Sequence, residues 1–165
     1  MNLRVELWRR LADALVVLAA LTGPAYPAAG SAADAGPAHA GAQPQGGIMK
    51  IRMATEGGDV ITATLADTAA ARDFAALLPL DLLLADYAST EKISDLPRRL
   101  ETSGAPPGFT PSAGDIAYYA PWGNQAVFHK DFGYSAGLIR LGKIDAGVAL
   151  LRRPGTLRVM IERLK

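Results

Sequence analysis

The residues whose types could form a binding or catalytic site lie between positions 114 and 144, where aromatic side chains are concentrated around Pro and Gly. Sites for small molecules and peptides are lined mainly by aromatic and apolar groups with a few polar ones, so this run could take an apolar or proline-containing ligand. The alternative, which is the stronger one from sequence, is that most of these rings fill a core and its corners. The candidate ligand-binding residues are Tyr118, Tyr119, Trp122, Asn124, Phe128, Lys130 and Tyr134.

The one histidine after residue 47, His129, could act as a general base with Asp131 or Asp115. Strand alternation places His129 on the side opposite to Phe128 and Lys130. If Phe128 faces the core, His129 faces solvent, and we expect an exposed histidine. A single histidine also offers too few ligands for a metal site. The catalytic residues stay unassigned, and no metal or cofactor is expected.

Three charged residues outside this run could supply polar groups at the mouth of a pocket. They are Asp86, Glu91 and Lys92. The alternative is that all three lie in an exposed loop. Asp115 follows a glycine and is interpreted as a turn acid that accepts hydrogen bonds from nearby backbone N–H groups.

Short strands and tight turns must position these residues. Apolar residues alternate over 48–55, residues 57–59 form a turn signal, and the β-branched run 60–65 supplies a partner, so a hairpin is predicted. Residues 67–68 can cap a helix over 69–78, which Pro79 ends. Further strands are predicted over 80–84, 91–94, 116–119, 125–130, 138–144 and 156–164.

The connections between these strands are rich in turn residues. Residues 86–90 form a predicted polar loop, and 97–113, with four prolines, form a long irregular loop of the kind that is often functional. Residues 121–124 predict a turn, and a short helical turn follows Asp145. The fold class is therefore mainly β, a closed or nearly closed barrel with one clear helix covering an end.

Composition excludes several functions. The chain has 165 residues, enough for one domain and a tail, and a formal net charge of +1. Such a charge gives no field that would attract nucleic acid, and no nucleic-acid partner is expected. The sequence has no cysteine, which excludes disulfides, thiolate zinc sites and a lipoprotein anchor.

The beginning of the chain has the layout of a secretory signal peptide. Basic residues precede a short apolar run and then small residues, so residues 1–30 are predicted as a signal peptide cleaved between 25 and 40. Residues 31–47 are predicted as a flexible Ala/Gly/Pro linker, and 48–165 as the domain. The expected location is periplasmic or secreted, with membrane contact only through an uncleaved leader. A twin-arginine signal at residues 9–10 is a weaker alternative.

Several separated motifs occur over residues 49–164. They are Leu78-Pro79-Leu80, Ala105-Pro106-Pro107-Gly108-Phe109, Tyr118-Tyr119-x-Pro121-Trp122-Gly123-Asn124, Asp131-Phe132 and Tyr134-Ser135. Their order and spacing resemble the bacterial cyclophilin-like family of small β-barrel proteins. The resemblance implies a cyclophilin-like barrel.

The resemblance does not extend to the catalytic segment of prolyl isomerases. Catalytic cyclophilins place an Arg beside a proline pocket, in a Phe-His-Arg segment followed by a Gln-rich stretch. Residues 128–130 read Phe-His-Lys, and the Gln-rich stretch is missing. Lys is a compact charge without the planar fork of a guanidinium. We therefore expect an exported domain that binds a small molecule or peptide, and the alternative is a peptidyl-prolyl cis-trans isomerase acting on exported proteins.

Overall fold

The computed structural model describes residues 48–164. The predicted signal peptide and linker, residues 1–47, lie outside the described residues. No helix within the described part is long and apolar enough to cross a membrane.

The described chain begins with the predicted hairpin. Strand β1 (Met49–Thr55) pairs antiparallel with β2 (Val60–Leu65). Gly58 has a φ of +83° in the connecting turn, a conformation that glycine adopts without steric cost. The local turn chemistry therefore fixes the first two strands, as the sequence predicts.

Helix α1 (Ala69–Ala76) follows β2 and confirms the predicted cap. The Thr68 hydroxyl accepts a hydrogen bond from the Ala71 N–H at 3.2 Å. The face with Phe74 is buried in the main core. The helix is two residues shorter than predicted, because the N–H groups of Leu77 and Leu78 already form i→i−3 bonds to Phe74 and Ala75 ahead of Pro79.

Eight strands form a closed antiparallel barrel, which confirms the mainly β fold class. The elements after α1 are β3 (Leu80–Tyr87), β4 (Glu91–Asp95), β5 (Gly108–Phe109), β6 (Asp115–Tyr119), β7 (Asn124–Phe128), β8 (Ser135–Ala136), β9 (Leu138–Ala146), a 3₁₀ helix (Val148–Arg152) and β10 (Leu157–Arg163). The order around the barrel is β1-β10-β3-β4-β7-β6-β9-β2, and β2 pairs back to β1. A separate two-stranded ribbon joins β5 to β8.

The barrel interior holds the main apolar core. Alternate residues of each strand point inward, as the period of two requires. Helix α1 adds Phe74, and the 3₁₀ helix adds Leu151. Fully buried members from the strands include Ile51, Met53, Ile61, Leu84, Ile116, Val127, Leu141, Val159 and Ile161.

A second apolar cluster lies on the outer face of the sheet formed by β6, β7 and β9. Its buried members are Ala117, Ala126, Phe128 and Leu138. Phe109 of the ribbon packs against this cluster. Strands β6 and β7 therefore carry apolar residues on both faces, and all of β7 is buried.

The predicted polar loop over 86–90 is shorter in the structure. Asp86 and Tyr87 are the last residues of β3, which is three residues longer than predicted. The turn to β4 passes through Ala88 and Ser89, with φ values of +46° and +57°. Two consecutive residues with positive φ match the twist of a hairpin, so only residues 88–90 connect the two strands.

Candidate ligand-binding face

Neighbouring strands place an acid between two aromatic residues on the outside of the barrel. Tyr87 of β3 is directly opposite Glu91 of β4, and Glu91 is directly opposite Phe128 of β7. Opposite residues of an antiparallel pair share a face and lie within side-chain contact. Asn124 lies four residues before Phe128 on the same face of β7, opposite Tyr119 of β6.

Trp122, from the turn between β6 and β7, reaches across this face. Its ring centroid lies 5.7 Å from that of Tyr87 at an interplanar angle of 89°, and 5.1 Å from that of Tyr119 at 84°. Gly123 follows with a φ of +77°, which confirms the predicted turn. We call the group of Tyr87, Glu91, Tyr119, Trp122, Asn124 and Phe128 the outer aromatic face.

Glu91 is the buried acid of this face. Its relative exposure is 8%, and the Thr90 hydroxyl donates a hydrogen bond to its Oε2 at 2.5 Å. Burial raises the pKa of Glu91, and the hydrogen bond from Thr90 offsets only part of that effect. Burial also raises the pKa of Tyr87, and the nearby Glu91 and Tyr119 add to the rise. No ion pair joins Glu91 to a cation within residues 48–164.

Asn124 supplies a second buried polar group. Its residue exposure is 2%, and its Oδ1 has no hydrogen-bond partner among the described residues. A buried acceptor without a partner is costly, whereas a donor from a ligand would satisfy it. Glu91 and Asn124 are therefore buried acceptors beside three half-buried rings.

The structure places four of the predicted site residues on this one face, namely Tyr119, Trp122, Asn124 and Phe128. Tyr118 lies elsewhere: as alternation predicts, it faces away from Tyr119, into the barrel core. There its hydroxyl accepts a hydrogen bond from the Leu100 N–H at 3.2 Å. Tyr118 is only 1% exposed and is therefore a core residue.

Two other predicted residues also lie off the outer aromatic face. Lys130 is exposed just after β7, and its N–H donates to the Thr90 carbonyl. Tyr134 is 61% exposed, and its hydroxyl lies beside Gly108 at the ribbon. Conversely, Tyr87 belongs to the face but was not predicted. The alternation of Leu80, Leu82 and Leu84 carries the signal, since it places Tyr87 on the outside.

The prediction of a surface histidine is wrong. His129 is buried at 6% exposure, and its Nδ1 has no partner among residues 48–164. The prediction assumed that Phe128 faces the barrel core, but Phe128 faces the outer cluster, which turns His129 inward. Burial lowers the pKa of His129, and the charges of Lys130 and Lys92 lower it further. His129 therefore lies on the wrong side of the sheet to act at the outer aromatic face.

The alternative of an exposed loop for Glu91 and Lys92 is also wrong, because both are buried residues of β4, the strand predicted over 91–94. Lys92 has no exposed surface and points into the barrel, opposite to Glu91. Its Nζ donates to Asp86 Oδ1 at 2.5 Å and to the Gly155 carbonyl at 2.6 Å. The Gly155 N–H donates in turn to Asp86 Oδ2 at 2.6 Å. These three residues form a clip between β3, β4 and the loop before β10.

Asp115 behaves as the sequence predicts. Its Oδ2 accepts a hydrogen bond from the Ser112 N–H at 2.7 Å, within the turn that leads into β6. Arg140 and Lys143 lie at 3.4 and 3.8 Å from its carboxylate oxygens. Asp115 is thus a buried structural acid with nearby cations.

Comparisons with known proteins support the fold. The model of the cyclophilin-like family matches residues 54–162. The solution structure of the hypothetical protein AF2241 from Archaeoglobus fulgidus is similar, with a TM-score of 0.57 and 17% sequence identity over 74% of this chain and 100% of that one. No curated protein matches the sequence.

Proposed function

Since the chain belongs to the cyclophilin-like family, we propose that it is an exported domain that binds a small molecule or peptide on the outer aromatic face. One observation carries the proposal: two buried acceptors, Glu91 and Asn124, lie in a strand surface with the half-buried rings of Tyr87, Tyr119 and Trp122. A few polar groups within an aromatic surface are typical of ligand sites. The rings would supply apolar contact, and the acceptors would orient a ligand that carries hydrogen-bond donors.

The test is a thermal-shift screen of the full chain against metabolites and Xaa-Pro peptides, followed by titration calorimetry of each hit. We expect saturable binding that Trp122→Ala and Asn124→Ala weaken. Tyr134→Ala is the matched aromatic control, because Tyr134 is exposed at the ribbon. A screen without any saturable ligand, or hits that are insensitive to Trp122→Ala, would reject the proposal.

Isomerase activity is the second candidate function, and Arg140 favours it. Arg140 is paired with Ala117 on the outer face, and its Cζ lies 4.9 Å from the centroid of the Phe109 ring. A planar guanidinium beside an apolar surface is the donor that Lys130 cannot provide. The outer cluster of Ala117 and Ala126 lies next to it.

A protease-coupled assay of proline isomerisation tests this candidate with the full chain. Activity that falls in Arg140→Lys and stays in Lys130→Ala would support isomerisation at this position. If micromolar protein does not accelerate proline isomerisation, isomerase activity is rejected and the binding proposal is unaffected.

Export is tested separately from binding. Fractionation of cells that express the full chain, beside a chain lacking residues 2–30, should place only the full chain outside the cytoplasm and in a shortened form. An uncleaved cytoplasmic product from both would reject export alone.

A further inference from the structure

We propose that the ligand of the outer aromatic face is a small organic cation with an ammonium group, which Glu91 neutralises and the rings of Tyr87, Tyr119 and Trp122 enclose. The inference rests on the proposed function and narrows it to one chemical class. It depends on two observations, the charge of the site and the arrangement of its rings.

The charge argument compares the three buried residues with a formal charge. Lys92 is paired with Asp86 at 2.5 Å. Asp115 has Arg140 and Lys143 within 4 Å. Glu91 is also buried, at 8% exposure against 0% for the other two, but it has no opposite charge within the described residues, only the Thr90 hydroxyl. Burial of an unpaired carboxylate is costly, and a cation that enters the site would remove that cost.

The ring argument concerns shape. Tyr87 and Tyr119 both stand nearly perpendicular to Trp122, on strands that lie three places apart in the barrel order. Because the Trp122 plane is nearly perpendicular to both tyrosine planes, the three rings present aromatic surface in more than one direction. The negative faces of such rings attract cations, and Trp is the strongest of the aromatic side chains in this respect. Rings combined with a carboxylate suit a compact ammonium group better than a neutral ligand.

The position of Glu91 connects the two arguments. It is directly opposite Tyr87 across one strand pair and opposite Phe128 across the other. The Tyr87 and Trp122 rings are in turn nearly perpendicular, with centroids 5.7 Å apart. A cation held by the carboxylate would therefore touch aromatic carbon on at least two sides.

The experiment uses the full chain with Trp8→Phe, so that Trp122 is its one tryptophan. Choline is titrated beside its neutral carbon isostere, in which a quaternary carbon replaces the nitrogen. Binding is followed by Trp122 fluorescence and by calorimetry. We expect saturable choline binding, and binding of the isostere weaker by about tenfold or more, since the two differ only in charge.

The variant Glu91→Gln keeps the size of the side chain and removes its charge. It should weaken choline binding by about tenfold and bring the affinities of choline and its isostere together. Glu56→Gln removes the same charge from the β1–β2 turn and should leave both affinities unchanged. Circular dichroism of each variant establishes that the barrel is folded.

A second arm distinguishes a free metabolite from a modified peptide as the source of the ammonium. The amide of acetylated trimethyl-lysine is titrated beside choline. Tighter binding of the lysine derivative assigns the site to a peptide side chain, and tighter binding of choline assigns it to a free metabolite. Either result supports an ammonium ligand.

Equal binding of choline and its isostere, or choline binding unaffected by Glu91→Gln, would overturn the inference. So would the absence of binding by both cations when the ligand screen yields a Trp122-dependent neutral ligand; the proposed function would then stand. If the screen and both cations give nothing, the proposed function and the inference fail together.

Discussion

Glu91 and Lys92 are consecutive residues of β4 that point to opposite sides of one sheet, and both are buried. Lys92 meets Asp86 inside the barrel. Glu91 meets aromatic rings outside it and keeps a raised pKa. The inner charge is thus suited to holding the structure together, whereas burial of the outer one costs stability.

Glu91→Gln should increase the free energy of unfolding by about 1 kcal/mol at pH 7, since it removes a buried charge. A folded pKa raised above the unfolded value favours the protonated form. The stability that the protonated Glu91 side chain contributes is fully present below the unfolded pKa, for which 4.5 is the reference value. It is lost as the pH rises through the folded pKa. Urea unfolding measures the gain in the free energy of unfolding, which should be smaller at pH 4 and below. Loss of stability at pH 7 would contradict this account, and Glu56→Gln is the control.

His129 should make the protein less stable in mild acid. Burial, Lys130 and Lys92 lower its pKa in the folded state, so the unfolded chain binds the proton first. Stability is therefore retained above the unfolded value of about 6.5 and declines as the pH falls below it. Urea unfolding between about pH 5 and 7.5 should show a shallower decline for His129→Asn than for the unaltered chain. Equal slopes for the two chains would contradict the buried, cation-flanked placement.

At the scale of the elements, alternation predicts which residues share a face but not which face is the core. The hairpin of β1 and β2 and the Thr68 cap were predictable because adjacent residues determine them. The orientation of β7 was not, because Phe128 and Val127 are both buried, on opposite sides. A strand that is covered on both faces has no polar side to reveal its orientation. The face of Phe128 is covered by Phe109, which precedes it by nineteen positions and lies in a two-residue strand.

Thr68→Ala should lower the free energy of unfolding by about 1 kcal/mol, because the Ala71 N–H loses its acceptor at the start of α1. Thr68→Ser keeps the hydroxyl and should retain most of the stability. Thermal and urea unfolding of both variants measure the difference. A Ser variant as unstable as the Ala variant would show that the methyl group of Thr68, rather than the cap, is responsible.

At the scale of the whole molecule, charged residues help to close the barrel near the loop before β10. Burial alone would raise the pKa of Asp86, but the hydrogen bonds from Lys92 and Gly155 outweigh it and lower the pKa. Sequence patterns predict the class of fold, its strands and most turns, but for these charges they leave an exposed loop open as an alternative. Asp86 and Lys92 are six positions apart, but each also bonds Gly155, which lies sixty-three positions after Lys92, and local patterns do not report such a contact.

Asp86→Asn should destabilise the barrel by about 2 kcal/mol, less than for a fully buried pair because the Asp86 side chain is 43% exposed. The fully buried Lys92 would then lack its counter-charge. Adding Lys92→Met to Asp86→Asn should recover much of the loss, since the buried charge is removed as well. Urea unfolding of the single and double variants decides; a double variant less stable than Asp86→Asn would contradict this account.

The closed order of the eight strands limits how an extended peptide can bind. Many peptides bind by β-augmentation, in which they add a strand to an open sheet edge. Each described barrel strand already has two neighbouring strands, whereas each strand of the β5–β8 ribbon has one. A peptide on the outer aromatic face would thus leave its backbone unpaired with the barrel and be recognised by its side chains. Selectivity would then depend on which side chain it presents to Glu91 and the rings, rather than on its ability to extend.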